Sequence, residues 1–254
     1  MHQVIQYIRF LFKSTNQHGV HSPFVFDLVT KCFYDTTNYP DYDKLKSYRQ
    51  SLLRNDSLVS VTDLGSGSKR TTSNTRQLCA IAKTSGTTYK RAKLLYRLSH
   101  YFKFKSILEL GTSVGIATHA LHLGNPNTTL TSIEGCPNLA LLSKTRFTNQ
   151  PNITIISGAF DEQIPLLKAS NYDCIFFDGN HTKDATLHYF EALLPKATND
   201  TVFIFDDIYW SKGMTEAWET IKQHPKVTVT IDTFFWGFVF FRKEQAKEHF
   251  TIRL

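Results

Sequence analysis

The sequence predicts an α/β protein: a seven-stranded, mostly parallel sheet with helices on both faces and an antiparallel last strand, preceded by an N-terminal helical extension. Three observations carry this expectation. From about residue 88 onward, short apolar runs alternate with helix-length segments, and runs that are continuously apolar mark strands covered on both faces. The last two β-rich runs, 227–231 and 238–241, have only a short linker between them, which makes them a hairpin-like pair closing an otherwise parallel sheet. Before residue 85 the alternation is absent, and short apolar patches are broken by polar, turn-rich stretches. The expected division is 1–85 as an extension or lid and 86–254 as the α/β domain.

The bulk properties agree with a folded core. Of 254 residues 41% are apolar and 20% charged, which excludes a mainly disordered chain. The net charge of +7 favours anionic partners. The basic residues are spread out, however, and the densest clusters, Lys69-Arg70 and residues 90–93, are short. That pattern reads as a solvated face ahead of a nucleic-acid footprint. Cys32, Cys79, Cys136 and Cys174 show no zinc-type spacing, and free thiols imply a reducing, cytoplasmic setting.

Taken in order, residues 4–13 read as an amphipathic helix, apolar but interrupted by Gln6 and Arg9. It is expected to dock on its own domain, with peripheral membrane contact as the alternative; no stretch approaches the length of a membrane span. The stretch 18–24 follows, with His18 and His21 three apart on a loop, a spacing that reads as structural before it reads as a ligand pair. Residues 61–68 form a glycine-rich stretch with no helical pattern after it, read as a loop near a site entrance.

The chemistry is expected beyond the carboxyl ends of the strands, where open α/β sheets bind their ligands. The first strand, 106–110, contains Glu109 and runs into Gly111-Thr112-Ser113-Val114-Gly115, a turn that permits close backbone approach to a ligand or simply tight packing of the next helix. The second, 129–134, ends at Glu134, an acid suited to both hydroxyls of a ribose. The third, 153–156, leads to Gly158-Ala159-Phe160-Asp161, where Phe160 can lie against a flat base or Asp161 can simply open a helix. The fourth ends at Asp178-Gly179-Asn180-His181 and the fifth, 202–206, at Asp206-Asp207-Ile208-Tyr209-Trp210. Three carboxylates at neighbouring strand ends either flank a divalent cation with oxygen ligands or cap helices in solvent. The intervening segments 115–123, 137–148, 161–169, 184–195 and 211–223 are of helix length.

The order Glu109-x-Gly111-x-x-x-Gly115, Glu134, Gly158-Ala159, Asp178, Asp206-Asp207 resembles the class I S-adenosylmethionine-dependent methyltransferases, and within them the catechol and caffeoyl-CoA type of O-methyltransferase. The resemblance spans about residues 80–242 and implies a Rossmann-like fold. It also implies that Glu109 and residues 111–115 (Gly111, Thr112, Ser113 and Gly115 among them) serve the methionine end of the cofactor. Glu134 would hold the ribose; Gly158, Ala159 and Phe160 would serve the adenine. Asp178, Asp206 and Asp207 would ligate a divalent metal, Mg²⁺ by its hard oxygen donors, and Asp178 would also belong to the cofactor and catalytic sets. Two positions depart from the family pattern: Asp207 stands where Asn is usual, and His181 where Lys is usual, which makes His181 the candidate general base. Tyr209, Trp210 and Trp236 are candidates for an aromatic wall around the acceptor. The leader at 18–24 resembles that of uncharacterised bacterial methyltransferases and imports no activity.

The leading expectation is methyl transfer to a hydroxyl of a small molecule, assisted by a metal. An RNA methyltransferase is the alternative that the charge alone favours; residues 178–181 lack the Asn/Asp-Pro-Pro-Tyr signature of base amino-methylation. A non-catalytic cofactor-binding protein on the same fold is the third reading.

Overall fold

The structure, a computed structural model, describes residues 1–62 and 74–254. Residues 63–68 of the second glycine-rich stretch and the Lys69-Arg70 pair therefore lie outside the described residues. In chain order the first half contains α1 (His2–Lys13), α2 (Pro23–Leu28), α3 (Asp41–Leu53), β1 (Leu58–Ser60), β2 (Thr75–Gln77), α4 (Leu78–Thr84), α5 (Tyr89–Phe102), β3 (Ser106–Leu110), α6 (Ile116–Gly124) and β4 (Thr129–Glu134). There follow α7 (Pro137–Arg146), β5 (Ile153–Ser157), α8 (Phe160–Gln163), β6 (Cys174–Phe177), α9 (Lys183–Leu193), β7 (Val202–Asp206), α10 (Lys212–Gln223), β8 (Val229–Asp232), β9 (Trp236–Phe240) and β10 (Glu248–Thr251). The strands of the main sheet are ordered β10-β8-β9-β7-β6-β3-β4-β5, and β1 and β2 form a separate antiparallel pair.

The chain divides into two compact units, one of residues 1–34 with 167–254 and the other of residues 35–166. In the 35–166 unit, β3, β4 and β5 pair in parallel, with Leu110 opposite Ile133 and Glu134 opposite Ser157. Their carboxyl ends therefore line up along one edge. Ile107, Leu108, Leu130 and Ile133 are fully buried, as continuous apolar strands require. The Thr88 hydroxyl caps α5 by accepting from Arg91 N at 3.4 Å, and the helix ends on Lys103 in left-handed backbone. The β1 strand lies against the start of α7, where Asn138 Nδ2 donates to the Ser60 carbonyl at 2.8 Å.

In the other unit, β6 and β7 are parallel, while β9 runs antiparallel to both β7 and β8. Its interior is aromatic: Phe177 stacks on Phe205 at 4.3 Å, and Phe190, Phe203, Trp218 and Phe238 are buried around them. Helix α1 docks as expected on its own unit, through Phe10 and Tyr7 against Phe234 and a 2.9 Å hydrogen bond between His2 Nε2 and Thr215 Oγ1. At 18–24, His18 and His21 are exposed; Ser22 accepts from Val25 N and donates to Gln245 Oε1 at 3.2 Å, Pro23 takes the first helical position of α2, and Phe24 packs on Phe240. Among the described residues, no helix is long and apolar enough to cross a membrane.

Two elements differ from expectation. Among the described residues the sheet has eight strands, because β10 adds in parallel to β8. Only Phe250 of β10 is buried, so its sequence lacks the apolar run of a central strand. The helix expected over 161–169 is a four-residue α8 followed by a 3-10 turn over Ile164–Leu166. Pro165 has no N–H to donate and its ring blocks the preceding carbonyl, so an α-helix cannot pass through it.

Candidate functional site

The 35–166 unit gathers most of the candidate cofactor residues along one edge. Gly111, directly after β3, has φ 102, a conformation that costs little only without a Cβ. Its N–H donates to the Ile133 carbonyl at 2.9 Å, tying the turn to β4. Glu134 then clamps the turn from the next strand end. Its Oε2 accepts from Ser113 N at 2.7 Å and its Oε1 from Cys136 N at 2.8 Å. On β5, Gly158 N donates to the Glu134 carbonyl at 3.0 Å, which brings Gly158, Ala159 and the half-buried Phe160 to the same edge.

Glu109 sits beneath this turn, fully buried on β3. Its Oε2 accepts from Thr118 Oγ1 and Ser132 Oγ, both at 2.5 Å, and Ser132 is also bonded to Thr112 at 2.5 Å. Its Oε1 has no partner among the described residues. Burial, partly offset by the two hydroxyls and reinforced by the Glu134 charge, pushes the Glu109 carboxyl up to about 7 from its ordinary 4.5. The folded protein thus keeps a proton that the unfolded chain releases. Stability is expected to fall as pH rises from about 4.5 to about 7, by about 3 kcal/mol in total for this one group. Denaturant midpoints measured across that window should show the slope in the wild type and a flattened one in Glu109→Gln; equal slopes would refute the burial argument.

The turn is backed by residues that the strand-end reading missed. Tyr48 of α3 donates its hydroxyl to the Val114 carbonyl at 2.8 Å, and Ser143 of α7 donates to the Ser113 carbonyl at 3.1 Å. Gly115 has φ 76, and a Cβ there would lie 2.8 Å from the Phe147 ring and 2.9 Å from the Tyr48 hydroxyl. Backbone strain and steric overlap add, so Gly115→Ala should cost about 2 kcal/mol or more in thermal or chemical unfolding. An unchanged melting curve would contradict this packing.

The remaining candidates lie in the other unit. β6 and β7 pair with Phe177 opposite Phe205, so Asp178 and Asp206 follow at adjacent strand ends. His181 Nε2 stands 3.7 Å from Asp178 Oδ1. Burial holds the imidazole below its ordinary 6.5, and the Asp206 charge partly counters this. Asn180, in left-handed backbone, donates through Nδ2 to Tyr189 Oη at 3.1 Å and so pins the 178–181 turn to α9. Asp206 is buried at the end of β7, whereas Asp207 is half-exposed in left-handed backbone at the start of the next turn.

The three residues expected to ligate a metal stand at two neighbouring strand ends, Asp178 directly after β6 and Asp206 and Asp207 at and after the end of β7. Among the described residues, no group of three or more His, Cys, Asp or Glu side chains is placed to hold an ion. The aromatic wall is corrected. Trp236 is buried in the core, edge-on to Phe176 at 5.8 Å, because inward positions of β9 face the sheet's own packing. Tyr209 and Trp210 are half-buried. The Tyr209 hydroxyl donates to Asp232 Oδ2 at 2.5 Å, and burial together with the Asp232 charge raises its pKa.

Comparison with known proteins agrees with this geometry. Residues 108–208 match a family model described as a methyltransferase domain. No curated protein matches the chain. Among solved structures, the SAH-bound methyltransferase PaMTH1 of Podospora anserina is similar with a TM-score of 0.63 at 14% identity, covering 88% of this chain and 97% of its own. An O-methyltransferase from Bacillus cereus in complex with SAH gives 0.55 at 18% identity over 83% of this chain and 93% of its own. TomG of Streptomyces achromogenes, an O-methyltransferase in complex with SAM, gives 0.55 at 16% identity over 83% and 92%. The chain therefore has the fold of these methyltransferases, and its residues 108–208 match a methyltransferase domain.

Proposed function

We propose that the protein transfers a methyl group from S-adenosylmethionine to a hydroxyl oxygen of a small molecule. The observation that carries the reading is the buried Oε1 of Glu109, without a partner among the described residues, beneath a turn that Glu134 clamps from the neighbouring strand. A buried carboxyl oxygen left unpaired is costly until a partner arrives, and the cofactor's ammonium is such a partner, donating to Oε1 and favouring the ionised form of a group that otherwise holds its proton to about pH 7. Residues 111–115, with Thr112 and Ser113, hold the methionine end. Glu134, at the end of the neighbouring strand, accepts from the ribose hydroxyls. Gly158, Ala159 and Phe160 serve the adenine.

When bound along residues 111–115, Glu134 and residues 158–160, S-adenosylmethionine would supply the electrophilic methyl group, exchanging its sulfur–methyl bond for the acceptor's oxygen–methyl bond. The chain supplies alignment and proton handling. His181 takes the acceptor's hydroxyl proton on an imidazole that burial keeps neutral at neutral pH. Asp178 orients the ring from 3.7 Å and stabilises it once protonated. No step is routed through a metal. Calorimetry with S-adenosylmethionine is the first test, followed by turnover on a panel of phenols, acids and sugars. Absence of cofactor binding by the wild type would overturn the reading. Activity that is lost in excess chelator and restored by Mg²⁺ would assign Asp178, Asp206 and Asp207 a ligand role.

A further inference from the structure

Helix α1 has two faces, and only one is used in the fold. Phe10 is buried and Tyr7 packs on Phe234. Val4, Ile5, Ile8, Leu11 and Phe12 are exposed, Val4 at 63% and Phe12 at 88%. At helical spacing these five fall within an arc of about 120°. An apolar stripe pointing at water is unfavourable unless something covers it.

The charged side chains of the helix itself are of one sign. Arg9 and Lys13 flank it on the same side of the helix, and Asp27 is the first acidic residue of the chain. Arg253 adds a third cation at the far end. It donates through Nη2 to the Leu11 carbonyl at 2.8 Å and to Ser14 Oγ at 3.0 Å, and it is exposed. The full chain carries +7. Area argues against a second copy as the cover. Twelve residues make a helix about 18 Å long and about 10 Å wide, a footprint of about 200 Å². A standard stable interface needs about 800 Å² on each partner. A bilayer has no such minimum. It takes an amphipathic helix lying in its surface plane, apolar face down and cations level with the headgroups.

We propose that α1 docks the protein on an anionic lipid surface, with Val4, Ile8, Leu11 and Phe12 in the acyl boundary and Arg9, Lys13 and Arg253 at the headgroups. The full-length protein is tested by co-sedimentation with vesicles of phosphatidylcholine alone and of equal parts phosphatidylcholine and phosphatidylglycerol. Binding is expected to the second and not the first, and to be released at about 0.5 M salt, where charge is screened over a few Å. Ile8→Glu combined with Phe12→Glu should reduce binding at least about tenfold without moving the melting temperature, because both side chains are exposed. A wild type that binds neither vesicle, or a double variant that binds like the wild type, overturns the proposal. A concentration-dependent dimer that the double variant abolishes overturns it in favour of a second copy. Calorimetric cofactor binding is read separately, so failure here leaves the methyltransferase reading intact.

Discussion

Glu134→Ala is expected to weaken S-adenosylmethionine binding by about ten- to a hundredfold while the protein still unfolds cooperatively. The carboxylate has two jobs. It accepts from Ser113 N and Cys136 N, so it fixes the turn after β3 and the turn before α7 at once. Under the proposed function it also accepts from ribose hydroxyls. Hydrogen bonds to a charged group contribute about 1.5–3 kcal/mol each, and losing even one costs about tenfold or more in affinity. The β4 pairing is backbone-mediated and survives truncation of the side chain. Glu134→Gln separates the two jobs. An amide has one carbonyl oxygen, so it keeps one of the two backbone donors and sets an N–H against the other. Its affinity should fall between those of the wild type and Glu134→Ala. Calorimetry reads the affinity and a melting curve reads the fold. Wild-type affinity in Glu134→Ala would remove this residue from the cofactor site.

How far the sequence could be read depends on the kind of signal. Strands covered on both faces announce themselves, so β3, β4 and β7 fall on the expected runs 106–110, 129–134 and 202–206. The antiparallel placement of β9 follows from a linker too short for a crossover. An edge strand such as β10 carries little apolar pattern, and a helix stopped by Pro165 looks long if only its composition is weighed.

The candidate site divides in the same way. Glu109, Gly111, Glu134 and Gly158 are legible because each ends or follows a strand, and parallel strands in register set their ends side by side. Tyr48 is not legible: its bond to the Val114 carbonyl joins residues 66 apart, and nothing local to α3 marks it. Ser132 leaves only a faint trace, a hydroxyl among buried strand positions. Direction is the hardest property to read. The spacing of Asp178, Asp206 and Asp207 sets them at neighbouring strand ends, and it does not specify where adjacent side chains point. Trp236 looked available for an acceptor because of its residue type, and its strand face turns it into the core.

His181→Ala should lower kcat by about a hundred- to ten-thousandfold once an acceptor is in hand, the range that a positioned general base contributes. Cofactor affinity should stay within a few-fold of the wild type, because the residues proposed to hold the cofactor belong mainly to the 35–166 unit. The pH profile supplies a readout that a structural role would not move. A base works when deprotonated, so the wild-type rate should rise with pH and level off at an apparent pKa below 6.5, the direction in which burial pushes the ring. The Asp206 charge raises the His181 pKa, so Asp206→Asn should move this acidic limb to still lower pH. Asp178→Asn keeps the side chain's shape beside the ring while removing its charge, and should lower the rate without abolishing cofactor binding. The acidic limb should vanish in His181→Ala, leaving a slow rate that does not depend on pH in that range. Normal turnover in His181→Ala, or a limb that persists there, would assign the proton to another group and leave His181 to hold the 178–181 turn.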